Sequence, residues 1–334
     1  MKLGTSLRFI FPTGPQTYPQ FKRTLAALPP GSFVERPLGA FDTEEQAQNL
    51  LEVAAAARAA RLDGLLVGDN HAIAASYANC FSPLPTLARL LAETGTMPAG
   101  AVLLAPFYHP VLLAEQLGTI AAFARGPLIV TLANGGNGRA FSAYGIAMQS
   151  RARRLEELAT LLRRLLAGER VTFQGRYFAL DGVSISPLPR VPVEIWIAGT
   201  VPAAAARAGA LGDAWLTGQN ATDAEVVQQL AVYQNAAAKA GRTPRPVLRR
   251  DIFVAETDAA AHAEVDRVLA EGYRGTGKDE LLVGGPASIV ERLRYYRGLG
   301  FSEVMVRHIT GDHGLMLRSF ALIGEQVMPA IRDL

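Results

Sequence analysis

Residues 193–216, VEIWIAGTVPAAAARAGALGDAWL, hold a strand, a tight turn, a helix and the next strand in one short window. The apolar run Val193–Ala198 reads as a buried strand, and Gly199 and Pro202 punctuate its end. Ala203–Leu211 is an Ala-rich helix, and Ala214–Leu216 is a second apolar strand. A strand, a helix and a strand in succession form a crossover unit. The helix returns the chain to the end where it started, so the two strands run parallel.

The same alternation extends outward in both directions. Upstream, Leu3–Phe11 reads as a strand and Thr43–Arg61 as a helix with Thr43 as its N-cap. Gly64–Gly68 is a short strand, Leu84–Glu93 a helix and Gly100–Ala105 a strand. His109–Ala124 is a helix with Pro110 in its first turn, Leu128–Ala133 a strand, and Arg151–Ala167 an amphipathic helix. The rhythm breaks near 169–189, where Val171, Phe173, Tyr177 and Phe178 surround Gly175 and Gly182, the pattern of a hairpin excursion. Downstream come helix Ala224–Ala240, strand Val247–Ala255, helices Ala259–Gly272 and Ala287–Leu299, strand Glu303–Arg307 and a last helix near Leu315–Val327. About eight strands, most followed by a helix, predict a single (β/α)8 TIM barrel over 1–334. Insertions are expected after the first and fourth strands. A doubly wound open sheet is the competing architecture.

Composition excludes several classes. The chain has 334 residues, 49% of them hydrophobic, with 33 Lys+Arg against 30 Asp+Glu. A net charge of +3 on this length is no footprint for nucleic acid, and the hydrophobic fraction is too high for disorder. One cysteine, Cys80, rules out an intrachain disulfide framework and a cysteine-rich metal site. The N-terminus, with Lys2 and Arg8 around a short apolar stretch, lacks a small-residue cleavage site and reads as a strand. The longest uncharged run, Thr94–Ala114, is broken by Pro98, Pro106 and Pro110, so no membrane span is expected and the protein is read as soluble and cytoplasmic.

Chemistry in such a barrel belongs on the loops that follow the strands. Asp69-Asn70-His71 ends the second strand, where a proton donor or acceptor would face the mouth. Asn134–Tyr144 (NGGNGRAFSAY) follows the fourth, with glycines for close approach to a flat ligand and Arg139 as a cation. Ile197–Pro202 (IAGTVP) leads into a helix; Thr200 can cap it, and its free N–H groups suit an anion. Each of these has a plain structural reading as well: a core histidine, a surface loop, an ordinary capped helix. His308, Asp312 and His313 are expected to line substrate or face solvent, with no metal assigned. Gly272–Asp279 (GYRGTGKD) resembles a phosphate loop, but it has Asp279 in place of Ser or Thr and follows a helix, so it reads as a connection.

Taken together, the segments GLLVGDN (Gly64–Asn70), PTLARLLAET (Pro85–Thr94), AGAVLLAPFYHPVLLAEQ (Ala99–Gln116), Tyr144-Gly145 and RRLEELATLLRRLLAGERVTFQGRYFAL (Arg153–Leu180) resemble the bacterial luciferase-like, flavin-dependent monooxygenases. PVEIWIAGT (Pro192–Thr200), LGDAWL (Leu211–Leu216), VAETDAAA (Val254–Ala261) and GGPASIVERLRYYRGLGFSEVMVR (Gly284–Arg307) continue the resemblance in the same order. It spans almost the whole chain, and the helix-plus-hairpin and IAGT…LGDAW blocks are its most specific parts.

The resemblance implies a pocket for reduced FMN at the C-terminal face of the barrel, or for the deazaflavin F420 in one branch. It implies a two-component monooxygenase in which a separate reductase supplies the flavin and O2 oxygenates a small organic substrate; the Phe and Leu content near the loops after the strands favours one with apolar surface. The alternatives are F420-dependent hydride transfer on the same barrel and a flavin-binding protein without turnover. A non-proline cis peptide at Ala101–Val102 is implied behind the cofactor ring. Asn134 matches the position that contacts the flavin, Tyr144 a loop lining the pocket, and Gly199 and Thr200 the phosphate-binding helix start. Similar proteins carry a histidine directly after the acidic residue of the second strand; here Asn70 stands there and His71 follows, so either His71 takes over the acid–base role or the substrate needs no such group. Pro12–Ala40, with Phe21 and Phe33 inside it and Phe41 just beyond, is longer than the usual first loop and reads as a lid or pocket wall. Homodimerisation through helices beside the second and third strands is implied as well, Val111–Phe123 being a candidate.

Overall fold

The computed structural model describes residues 1–7, 10–12, 42–73, 78–270, 280–332 and 334. Thirteen strands are found among them: β1 Lys2–Ser6, β2 Ile10–Pro12, β3 Leu65–Val67, β4 Ala78–Cys80, β5 Ala99–Leu104, β6 Leu128–Ala133, β7 Val171–Gln174, β8 Ala179–Val183, β9 Val193–Gly199, β10 Ala214–Thr217, β11 Pro246–Val254, β12 Leu281–Gly284 and β13 Glu303–His308. Eight of them close a parallel ring in chain order, β1-β3-β5-β6-β9-β10-β11-β13, with β13 returning to β1. The chain is thus a TIM barrel, and the open sheet is excluded. Closure leaves no barrel edge, and the helices between consecutive strands cover the outer faces.

The helices among the described residues are α1 Thr43–Ala59, α2 Pro83–Thr94, α3 Pro110–Phe123, the short α4 Gly138–Ala143, α5 Arg151–Leu166, α6 Pro202–Leu211, α7 Asp223–Lys239, α8 Asp258–Ala270, α9 Pro286–Gly298, α10 His313–Leu322 and, after the π-helical segment Ile323–Val327, α11 Met328–Ile331. Their apolar faces and the outward side chains of the strands form the main core, exemplified by Leu65, Ala101, Leu113, Leu158, Ile195 and Leu293. Alternate strand residues point inward instead. Leu66, Val102, Ile129, Trp196, Ala214, Leu216, Val247 and Met305 pack there as a second cluster, so the interior is filled. Gly100 is required on β5, because a Cβ there would lie 1.9 Å from the Ile129 carbonyl oxygen.

Several boundaries differ from the sequence reading. The expected first strand Leu3–Phe11 is split: β1 ends at Ser6, and β2 pairs antiparallel with β4 from the loop after β3. The cap of α1 is Asp42, whose side chain accepts from the Glu44 N–H; Thr43 is already helical. The strand β12 was unforeseen. It adds to the far end of β11 through Asp251–Val254, on the side that β10 leaves. The hairpin is present as antiparallel β7 and β8.

One implied feature is overturned. The Ala101–Val102 bond is trans, and the cis peptide among the described residues is Ser186–Pro187. The physical reason is the ladder: Ala101 faces Val130 and Val102 faces Thr131 in unbroken parallel register, with Ala101 in the outer core and Val102 inside the barrel. A non-proline cis bond would cost about 3–4 kcal/mol and interrupt that alternation. The first-loop expectation, Pro12–Ala40 with Phe21 and Phe33, falls outside the described residues apart from the backbone of Pro12, as do Phe41 and Gly272–Asp279. The insertion after the fourth barrel strand is present as residues 134–150, carrying α4 and a short turn of helix.

Candidate active site at the mouth of the barrel

The short strand β3 delivers Asp69 to the C-terminal mouth. The Asp69 side chain has 0% exposure and crosses to the end of β5. There one carboxylate oxygen accepts the Leu104 N–H at 2.9 Å and the Tyr108 hydroxyl at 3.0 Å. His71 Nε2 lies 3.0 Å from the other oxygen and 3.2 Å from the first. The three hydrogen bonds all fall on Oδ2 and offset part of the cost of burying the carboxylate, while Oδ1 has no hydrogen-bond partner among the described residues. Burial pushes the Tyr108 phenol up, and the neighbouring Asp69 charge and hydrogen bond add to this, so Tyr108 stays an O–H donor.

The other ring nitrogen of His71, Nδ1, stands 3.1 Å from the Tyr144 hydroxyl. Tyr144 follows α4, so the loop after the fourth barrel strand folds over the loop after the second. Aromatic packing holds this contact. Tyr144 stacks on Phe107 at 4.8 Å and 27°, Phe107 also meets Phe141 at 4.8 Å, and the His71 ring sits edge-on to Phe107 and Tyr144 at 5.2 Å each. Asn70 turns back on its own turn: its Oδ1 accepts the His71 N–H at 3.0 Å.

Among the described residues, Thr131 Oγ1 inside β6 and Asn134 Oδ1 just beyond its end are buried without a hydrogen-bond partner. Leaving such an atom unsatisfied costs about 1–3 kcal/mol. The register pairs Leu104 with Ala133, which brings Asn134 beside the strand end that feeds Asp69. An orphaned carboxamide oxygen at this place fits a ligand N–H, as a planar heterocyclic imide presents.

Farther round the mouth, Gly199 ends β9 and its carbonyl accepts the Trp215 indole N–H at 3.2 Å. A Cβ on Gly199 would lie 2.4 Å from the Ala204 Cβ, so glycine lets the strand turn tightly into α6. Thr200 does not cap that helix. The cap position is Val201, with no side-chain bond, and the Thr200 carbonyl accepts from Gln229 at 3.1 Å. Arg139 lies in the first turn of α4, and its N–H donates to the Asn137 side chain.

Of the sequence candidates, His71 and Tyr144 meet directly and Asn134 lies on the neighbouring strand end. Ala101 faces the outer core and Val102 the barrel interior. His308, Asp312 and His313 diverge: His308 is buried 2.9 Å from the Ser319 hydroxyl, Asp312 caps α10, and His313 meets Glu52 at 2.8 Å. The sequence reading missed Tyr108 and Phe107 as site residues and passed over Asp69 in favour of its neighbours. The available signal was position, since Phe107 and Tyr108 directly follow the third barrel strand, where a mouth residue belongs.

A family model described as luciferase-like monooxygenase matches residues 30–303. Among curated proteins, an F420-dependent glucose-6-phosphate dehydrogenase of Microbacterium testaceum is 27% identical over 284 residues, covering 75% of this chain and 82% of that protein. An FMNH(2)-dependent dimethylsulfone monooxygenase of Pseudomonas fluorescens is 25% identical over 282 residues, covering 73% and 76%. Among solved structures, monooxygenase RslO1 from Streptomyces bottropensis superimposes with a TM-score of 0.78 at 22% identity, covering 98% of this chain and 99% of that one.

Proposed function

The chain belongs to the luciferase-like monooxygenase family, and from that premise we propose that it uses reduced FMN and O2 to oxygenate a small organic substrate, with the flavin supplied by a separate reductase. The coarser statement, an oxidoreductase working with a flavin-type cofactor, rests on relatives of both FMN and F420 type.

The observation that favours FMN is the charge near the β9–β10 end of the mouth. FMN ends in a single phosphate, whereas F420 carries an acidic tail. Between 193 and 238 the chain has one cation, Arg207, engaged with Glu156 at 2.8 Å, and the fold adds Arg249, whose N–H donates to Thr217 Oγ1 at the end of β10 at 2.9 Å. The first turn of α6 offers backbone N–H groups to a phosphate but no lysine or arginine to a longer polyanion.

When bound, the reduced flavin supplies the electron pair that, with O2, oxidises the substrate. Asn134 Oδ1 would accept a ring N–H of the bound cofactor, and residues 199–201 would hold its phosphate. Phe107, Phe141 and Tyr144 exclude water and favour a substrate with apolar surface. His71, held by Asp69, moves a proton.

F420-dependent hydride transfer to or from a hydroxyl-bearing substrate is the second reading, favoured by that same Asp69–His71 pair. Withdrawing a hydride from an alcohol leaves a proton that a carboxylate-backed imidazole can take. A flavin-binding protein without turnover is the third. Titration with FMN, reduced FMN and F420, followed by fluorescence, separates them. Preference for reduced FMN, with O2 uptake when it is supplied, is expected. Preference for F420 without O2 uptake would overturn the oxygenase, and FMN binding without O2 uptake would favour the non-catalytic reading.

A further inference from the structure

The polarity of the hydrogen bonds at the mouth points to a direction for proton movement. Asp69 is an acceptor-only group, so the ring nitrogen facing it, His71 Nε2, carries the hydrogen. In the neutral ring Nδ1 then holds a lone pair, and Tyr144 Oη at 3.1 Å must be the donor. The chain therefore runs from the Tyr144 O–H to His71 and from the His71 N–H to Asp69. Both nitrogens of His71 are engaged and its side chain is 19% exposed, enclosed by Phe107 and Tyr144. Tyr144 is 48% exposed, and its ring is fixed against Phe107.

We propose that Tyr144 is the catalytic acid–base residue that touches the reacting oxygen of the substrate, and that His71 is the proton store behind it. Asp69 and Tyr108 are positioning residues. The substrate class is one bearing a hydroxyl, or a carbonyl that becomes one. In the forward step the substrate O–H bond breaks and its proton bonds to Tyr144 Oη. Tyr144's own proton passes to His71 Nδ1, leaving a substrate oxyanion and an imidazolium paired with Asp69. Protons alone move, charge is conserved and no electrons are exchanged. The reverse sequence protonates an oxyanion. The proposal deepens the reading of this mouth as a redox pocket, but the relay itself needs no bound cofactor.

The test uses the full chain labelled with 15N-histidine, with His71→Gln assigning the His71 signals and 4-nitrophenol as the hydroxyl probe. Without probe, His71 is expected as the Nε2–H tautomer. At saturating probe the phenolate absorption band should exceed that of the same probe in protein-free buffer at the same pH, while His71 becomes doubly protonated. Tyr144→Phe keeps the stack on Phe107 and should keep the tautomer, yet lose both probe responses. Asp69→Asn should lose the tautomer preference. A His71 that stays neutral at saturating 4-nitrophenol, or a Tyr144→Phe chain that ionises the probe as the unaltered one does, overturns the relay. Titration of the same samples with reduced FMN and with F420 keeps the two readings apart. A chain that binds neither cofactor sinks the cofactor reading and leaves the histidine spectra to stand or fall alone.

Discussion

Asn134 is in tension with the protein that carries it. Its buried Oδ1 has no donor among the described residues, a state that lowers stability and that a ligand N–H would relieve. Asn134→Ala should therefore stabilise the cofactor-free chain by roughly 1 kcal/mol, seen as a higher thermal midpoint, while weakening cofactor binding about tenfold. Differential scanning fluorimetry and a fluorescence titration on the same preparation measure both, and a fall in stability together with unchanged affinity would refute the assignment. Tyr108 yields a second prediction. Its phenol is pushed above the ordinary value of 10.0, as are those of Tyr233 and Tyr296, burial being the largest cause in each. A raised folded value favours the protonated fold. The contribution is complete below the unfolded value and is lost as pH rises beyond it. Stability should decline above about pH 10, with a slope of up to about 1.4 kcal/mol per pH unit for each such group. Tyr108→Phe should flatten that slope, read from urea unfolding at a series of alkaline pH values. Asp69, Asn70 and His71 adjoin in the chain, so a proton-handling spot was legible there. That Tyr108 and Tyr144 converge on the same two groups was not, because those contacts join residues 39 and 73 positions apart.

At the scale of elements, the mouth is set by how closely β5 and β6 approach. Gly100 faces Ile129, and the register carries on to pair Leu104 with Ala133, which seats the ends that feed Asp69 and Asn134. Gly100→Ala would push a Cβ against the Ile129 carbonyl, so we expect a loss of about 1–3 kcal/mol in chemical denaturation. The same substitution should weaken cofactor binding by displacing Asn134. A variant as stable as the parent would show that the ladder yields freely. Helices and strands were legible here because each carries its own period and punctuation: Pro at the first turns of α2, α3, α6 and α9, and apolar runs at the strands. The errors share one cause. The split of the first strand and the addition of β12 depend on partners distant in sequence, β4 for one and the overhang of β11 for the other.

Among the described residues, the most exposed large apolar side chain lies on α3. On α3, Leu112 is 55% exposed and Phe123 is 73% exposed. Exposed large side chains of this kind often mark association sites. A homodimer through this helix is our expectation, and Phe123→Glu with Leu112→Glu should convert it to a monomer in light scattering without lowering the unfolding midpoint. An unaltered chain that runs as a monomer at micromolar concentration would refute it.

Local chemistry determined the period of each segment, and with it the number and order of the crossover units; these dictate a parallel sheet with helical crossovers, and the pairing of β13 with β1 decides that it closes into a barrel. Local chemistry also determined that polar residues cluster after strands. Tertiary structure alone decided which of them meet. The Asp69–His71–Tyr144 chain, the lone acceptor at Asn134 and the trans bond at Ala101–Val102 all follow from how neighbouring strand ends stagger around the ring. That stagger is a property of the closed sheet, fixed by packing inside the barrel across many strands, and no single segment encodes it.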